Sequence, residues 1–187
     1  TGATNGTGVN INQILTNTSF IFGTVNYLIT PIANGCFGNT IQSIITVKPM
    51  PDVIAYPSIQ NICTGQSTSI NLSGNVTGTT YNWTVTQTNV SGAINGSGSS
   101  ISQALTNNSN IQGQVLYTIN STFNNCPGNS SSALVNVNPS PLVNSNTINQ
   151  TICSNENTNI TLTSTVSNTL FSWTVTQNNV TGALSGS

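Results

Sequence analysis

The chain has 187 residues, and only Lys48, Asp52 and Glu156 carry side-chain charge, for a formal net charge of −1. Charged residues make up 2%, against roughly a quarter of an ordinary soluble domain. No basic patch exists to neutralise phosphates, which excludes nucleic-acid partners. Two distant carboxylates, one lysine and no histidine leave no set of groups for general acid–base catalysis, so the chain is expected not to be an enzyme.

Asn (31), Thr (30) and Ser (24) supply nearly half of the positions, while apolar residues reach 35%. That apolar share, spread along the chain and rich in Val, Ile and Leu, is enough to build a core. Apolar runs such as Tyr27-Leu28-Ile29 and Val115-Leu116-Tyr117 fall far short of the roughly 20 residues of a membrane-spanning helix.

The elements follow one another in a β pattern. Pro49-Met50-Pro51 is a short, stiff connection, because proline fixes its own backbone torsion. Ile70 and Leu72 then alternate with Asn71 and Ser73, and Tyr81, Trp83 and Val85 with Asn82, Thr84 and Thr86. This period of two predicts strands with one buried face. Gly92–Gly98 supplies a turn, followed by the alternating Val115, Tyr117 and Ile119. Asn124–Asn129 supplies another turn before Val135 and Val137, and Pro139-Ser140-Pro141 is a second stiff connection. Trp173 then heads a copy of the Trp83 segment. No stretch keeps a helical period.

That copy belongs to a longer regularity. Sliding the chain on itself by 90 residues matches it without a gap, with 43 of 97 positions identical. Cys36 falls on Cys126, Pro49-Met50-Pro51 on Pro139-Ser140-Pro141, and Cys63 on Cys153. A unit of this length can hold its own core. The expected division is the C-terminal part of one repeat in 1–50, a complete repeat in 51–140, and the N-terminal part of the next in 141–187. The parent protein is expected to continue as a tandem array. About seven short strands per unit, with a Trp on an early one, predict an all-β fold of tandem immunoglobulin-like sandwiches.

The cysteines come two to a repeat, without a C-x-x-C pair or a His, which argues against zinc. A self-contained module predicts a Cys63–Cys126 bridge, with Cys36 and Cys153 paired outside the chain. A Cys36–Cys63 staple between units and four free thiols are the alternatives. Disulfides would place the protein in an oxidising, extracytoplasmic location.

The complete repeat runs from Pro51-Asp52-Val53 through Gln60-Asn61-Ile62-Cys63-Thr64-Gly65 to Thr68-Ser69-Ile70-Asn71-Leu72. It continues through Gly78-Thr79-Thr80-Tyr81-Asn82-Trp83-Thr84, Tyr117-Thr118-Ile119 and Asn125-Cys126 to Val135-Asn136-Val137-Asn138-Pro139. This series resembles the PKD-like repeats of giant cell-surface proteins of Bacteroidota-type bacteria, especially gliding-motility adhesins of the SprB type. The resemblance implies a sandwich array exported by type IX secretion and displayed outside the outer membrane, where such filaments grip a substratum. The last stretch departs from the pattern at Leu142 and Asn155, where the complete repeat has Asp52 and Gly65.

Trp83 and Trp173 could serve as sugar-stacking platforms, but alternating apolar neighbours make them core residues, together with Tyr81, Val85 and Tyr117. Thr-x-Thr pairs suit the exposed face of any strand and are not read as an ice-binding surface. Calcium needs several carboxylate or carbonyl oxygens, and one acid per repeat does not supply them, so no metal and no cofactor are expected. The expected partners are neighbouring repeats, an extracellular surface or polysaccharide, and further filaments. The chain is thus expected to be a stalk segment of a surface adhesin. The alternative is an array of carbohydrate-binding modules on a secreted polysaccharide-degrading enzyme.

Overall fold

The computed structural model describes residues 1–186, in which every helix or strand element is a β-strand. The chain opens with β1 (Gly23–Ile29), β2 (Ile32–Ala33), β3 (Cys36–Phe37) and β4 (Ile41–Val47). After Pro49-Met50-Pro51 come β5 (Ile54–Tyr56), β6 (Ile59–Cys63), β7 (Ile70–Ser73) and β8 (Thr80–Thr88). Four very short strands follow, β9 (Val90–Ser91), β10 (Gly96–Ser97), β11 (Ser100–Ile101) and β12 (Thr106–Asn107). Two long ones, β13 (Gly113–Phe123) and β14 (Cys126–Asn138), precede β15 (Val143–Ser145) and β16 (Leu162–Ser164).

Two sheets face each other in the middle of the chain. One has the order β10-β8-β13-β14-β6 and the other β11-β7-β5. The first edge is divided between them. Ile54 pairs with Ser73 in the small sheet, whereas Ile59 to Cys63 run parallel to Leu134 to Asn138 in the large one. The change of sheet falls at Pro57, where the missing N–H removes no ladder bond. Every other pairing is antiparallel.

The alternation read from the sequence becomes the inner face. Val115, Tyr117 and Ile119 of β13, Val135 and Val137 of β14, and Ile101 and Leu105 are fully buried. Ile70 and Leu72 close the core from the small sheet. Tyr81 and Trp83 are buried on β8, and Val85 packs against them half-buried. The whole cluster lies between Val53 and Val137.

Trp173 departs from the expected core position, being 49% exposed. Its local setting matches that of Trp83. The Trp83 indole Nε1 donates to Ile94 O at 3.1 Å and the Trp173 indole to Leu184 O at 3.1 Å. Gly96 and Gly186 lie against the respective rings. What differs is the covering strand. Trp83 pairs in register with Ile119 of β13, and no strand among the described residues after 140 takes that place over Trp173. The ring has its floor without its cover.

Neutral side chains do the polar work that charges do elsewhere, and they do it at the same step of 90. Tyr27 Oη donates to Gln13 Oε1 at 2.8 Å, and Tyr117 Oη to Gln103 Oε1 at 2.9 Å. The Asn17 amide donates to Ile21 O (2.7 Å) and Val47 O (2.9 Å); that of Asn107 donates to Ile111 O (2.8 Å) and Val137 O (2.7 Å). Each asparagine thereby ties a loop to the strand that ends the repeat. Among the described residues no buried side-chain nitrogen or oxygen lacks a partner, as a stable interior requires.

Two outcomes are expected. Trp83→Ala should cost about 3–5 kcal/mol in denaturant unfolding, as truncation of a large buried ring does; unchanged stability would show that the ring is not a core group. The second outcome is alkaline. Burial pushes the Tyr117 hydroxyl from 10.0 up to about 12, against an opposing hydrogen bond from Thr68, and burial also raises Tyr81, with Asp52 adding to it. The folded chain keeps a proton that the unfolded chain releases, so this contribution is complete below about pH 10 and lost as pH rises toward about 12. Melting temperatures should fall across that interval, and Tyr117→Phe should make the fall shallower.

Candidate functional site at the repeat junction

The structural detail concentrates where residues 1–50 meet the central sandwich. Pro49 and Pro51 are both buried, while Met50 between them points outward. Pro51 O accepts the Asn129 N–H at 3.0 Å. The buried Ser121 hydroxyl donates toward Pro51 O (3.2 Å) and Asn129 O (2.8 Å). Gly128 leaves room for this contact, because a side-chain carbon there would collide with Pro51 O and Ser121 Oγ. The linker is built into the sandwich, not strung between modules.

Two further contacts cross the junction. Lys48 Nζ donates to Asn124 O at 2.7 Å. The rings of Phe22 and Phe123 lie 5.8 Å apart, tilted by 53°, within the range of favourable aromatic pairs. Asn124 and Asn125 form the turn that presents these groups, with φ of 47° and 65°. Two successive left-handed residues are what a two-residue hairpin turn asks for, and Asn tolerates them better than other non-glycine residues. Next to Pro51, Asp52 Oδ1 accepts Asn75 N–H at 2.7 Å and Asp52 N–H donates to Asn75 Oδ1 at 3.2 Å. Lys48 and Asp52, the two charged side chains before Glu156, thus both sit at this junction. Glu156 repeats the task of a neutral residue: it accepts Cys153 N–H at 2.8 Å as Gln66 accepts Cys63 N–H at 2.7 Å.

The second junction is more open. Pro139 is half-buried beside a groove of about 350 Å³ bordered by Ile111, Gln112, Asn138 and Val166. Gln112 stands where the first junction has Phe22, and it donates to Asn138 Oδ1 at 2.9 Å.

None of the four cysteines is bridged to another within the chain, and the fold corrects the expected Cys63–Cys126 bridge. Cys63 pairs with Asn138 at the end of β14, and Cys126 is the first residue of the same strand. Twelve steps of roughly 3.3 Å separate them by about 40 Å, whereas a disulfide needs Cα atoms within about 7 Å. Cys36 and Cys63 are also apart, because Cys36 lies at the far end of β4 from the junction and Cys63 at the far end of the sandwich beyond it. Cys153 is exposed. No bridge between these four is open to the chain in this arrangement.

The outer face of the large sheet is a field of hydroxyls and amides. Thr84, Thr118 and Ser132 align across β8, β13 and β14, as do Asn82, Asn120 and Ser130. Gln114 donates to Asn136 at 3.0 Å and Asn136 to Asn61 at 2.8 Å, an amide ladder running out to β6. No group of three or more His, Cys, Asp or Glu among the described residues could hold a metal ion.

A family model described as a PKD-like domain matches residues 1–51 and 60–141. No curated protein matches the chain. PKD-like domains are typically non-catalytic structural modules, which agrees with a centre of structural order at a junction. Ser121, Gly128, Asn107 and Lys48 escaped sequence reasoning, although Gly38 and Gly128 recur at the repeat distance. Gly128→Ala should lower stability by about 1–3 kcal/mol through overpacking against Pro51. Gly6→Ala, at a position with nothing within 4 Å, should leave the unfolding midpoint unchanged.

Proposed function

Because the chain belongs to the PKD-like domain family, we propose that it is a stalk segment of a long secreted bacterial adhesin filament, serving surface attachment in gliding motility. In this reading residues 1–50 end one module, 51–140 form a complete one, and 141–187 begin the next. The observation that carries the proposal is the junction, where Pro49 and Pro51 are buried and Pro51 O is held by Asn129 and Ser121. A linker packed in this way fixes the angle between modules. Repeated at a constant step, it makes a rod that passes tension into the β13–β14 ladder. The uncharged surface suits the task. It gives little long-range repulsion from another surface and little response to salt, while its hydroxyls and amides allow many weak contacts along a multivalent filament. In this reading the protein lies outside the cell, attached at the outer membrane and exported by type IX secretion.

The amide ladder on the outer sheet favours a second reading, an array of carbohydrate-binding modules on a secreted polysaccharide-degrading enzyme. A catalytic domain elsewhere in the parent protein would support it; many further repeats of 90 residues would support the stalk.

The β14 strand runs from one junction to the other, so a repeat should advance on the order of 40 Å. Electron micrographs of the isolated filament should show that axial step, unchanged by chelator or by added salt. A flexible coil without periodicity would refute the stalk.

A further inference from the structure

Each repeat carries one cysteine at each end, and successive repeats bring unlike ends together. Cys63 closes β6 beside Asn138, where Thr64 N donates to Asn138 O at 2.9 Å, at the end that leads into Pro139. Cys126 follows the Asn124–Asn125 turn at the opposite end, which is seated on residues 1–50. We propose that a disulfide joins the Cys63 position of each repeat to the Cys126 position of the next, so that the bridges staple junctions and do not close modules. This inference rests on the tandem-array reading, since the partners of Cys63 and Cys126 then lie in the repeats that flank the chain.

The first junction displays the approach. Lys48 precedes Asn138 by 90 residues and so occupies the same place in its own repeat. In the central repeat that place is flanked by Cys63 on the parallel strand. Lys48 Nζ reaches Asn124 O at 2.7 Å, two residues from Cys126, and Phe22 and Phe123 hold the same two ends together. The hairpin that bears Cys126 therefore rests against the strand end beside which the preceding repeat's cysteine belongs. Both thiols are accessible, Cys63 exposed and Cys126 half-buried. One arrangement thus gives every cysteine a partner, whereas pairing within a repeat is excluded by the length of β14.

The oxidant is the disulfide form of a thiol–disulfide oxidoreductase, of the kind that serves an oxidising compartment. One cysteine thiolate attacks that disulfide and forms a mixed disulfide. The second cysteine thiolate then displaces the oxidoreductase. The S–S bond between repeats is made, the oxidant's is broken, and two electrons and two protons leave on the oxidant as its dithiol.

The test uses the full secreted protein, alkylated without reduction, digested and mapped by mass spectrometry. The Cys126 peptide should be joined to a Cys63-type peptide of the preceding repeat, and the Cys63 peptide to a Cys126-type peptide of the following one. In a Cys126→Ser variant, Cys63 should stay protected from alkylation, and one thiol should be gained in the preceding repeat. A Cys63–Cys126 peptide, alkylated Cys63 in that variant, or free thiols throughout the native protein would each overturn the proposal while leaving the array intact. A parent protein without flanking repeats would overturn both readings at once.

Discussion

The structure depends on the register of one hairpin. The left-handed Asn124 and Asn125 close β13 onto β14 with Phe123 opposite Cys126. A one-residue register shift between Asn120 and Thr122 then sets Tyr117 opposite Ala133 and Val115 opposite Val135, so that Val115, Tyr117, Ile119 and Ser121 face inward together with Ala133, Val135 and Val137. A slip by one residue along the core would turn one of the two rows to the outer face. It would also take Ser121 and Gly128 away from Pro51, because the contacts that seat the linker lie on the same two strands. Core and junction are therefore set by the same two strands, through the turn and the register shift together.

With almost no charge, the chain meets its buried polar groups with amides and hydroxyls of fixed reach. Asn107 ties the loop before β13 to the end of β14, Gln103 receives the Tyr117 hydroxyl, and Thr68 bonds Ile101 O at 3.0 Å. Such bonds contribute little individually, about 1 kcal/mol net, but an orphaned partner in the interior would cost more. They carry no long-range field. The two charged groups before Glu156 are spent at the junction, where Lys48 bonds a backbone carbonyl of the next repeat and Asp52 pairs with the Asn75 turn. The outer sheet is left neutral, hydrated and able to hydrogen-bond, which is what an adhesive stalk of the proposed kind needs.

The contrast between Trp83 and Trp173 shows how far a local pattern reaches. Both rings have a glycine beneath them and donate to a carbonyl eleven residues on. Burial comes from elsewhere, from β13, thirty residues further along the chain. The same distinction governs the cysteines. Their spacing suggests a bridge within each repeat, and their positions on β14 forbid it.

The all-β character, the inward rows of β8, β13 and β14, a turn within Asn124–Asn129, the proline connections and the step of 90 were all legible in the residues; the structure narrowed that turn to Asn124 and Asn125. Each is a property of neighbours in sequence: alternation defines a face, proline and left-handed Asn define a bend, and a repeat announces itself. The tertiary structure alone decided that β6 joins β14 in parallel, that Cys63 and Cys126 end on opposite poles, and that Pro51 is buried against Gly128 and Ser121. Those outcomes depend on which distant strands meet. No local period encodes that choice, because a strand with one apolar face presents the same pattern to any partner that can cover it.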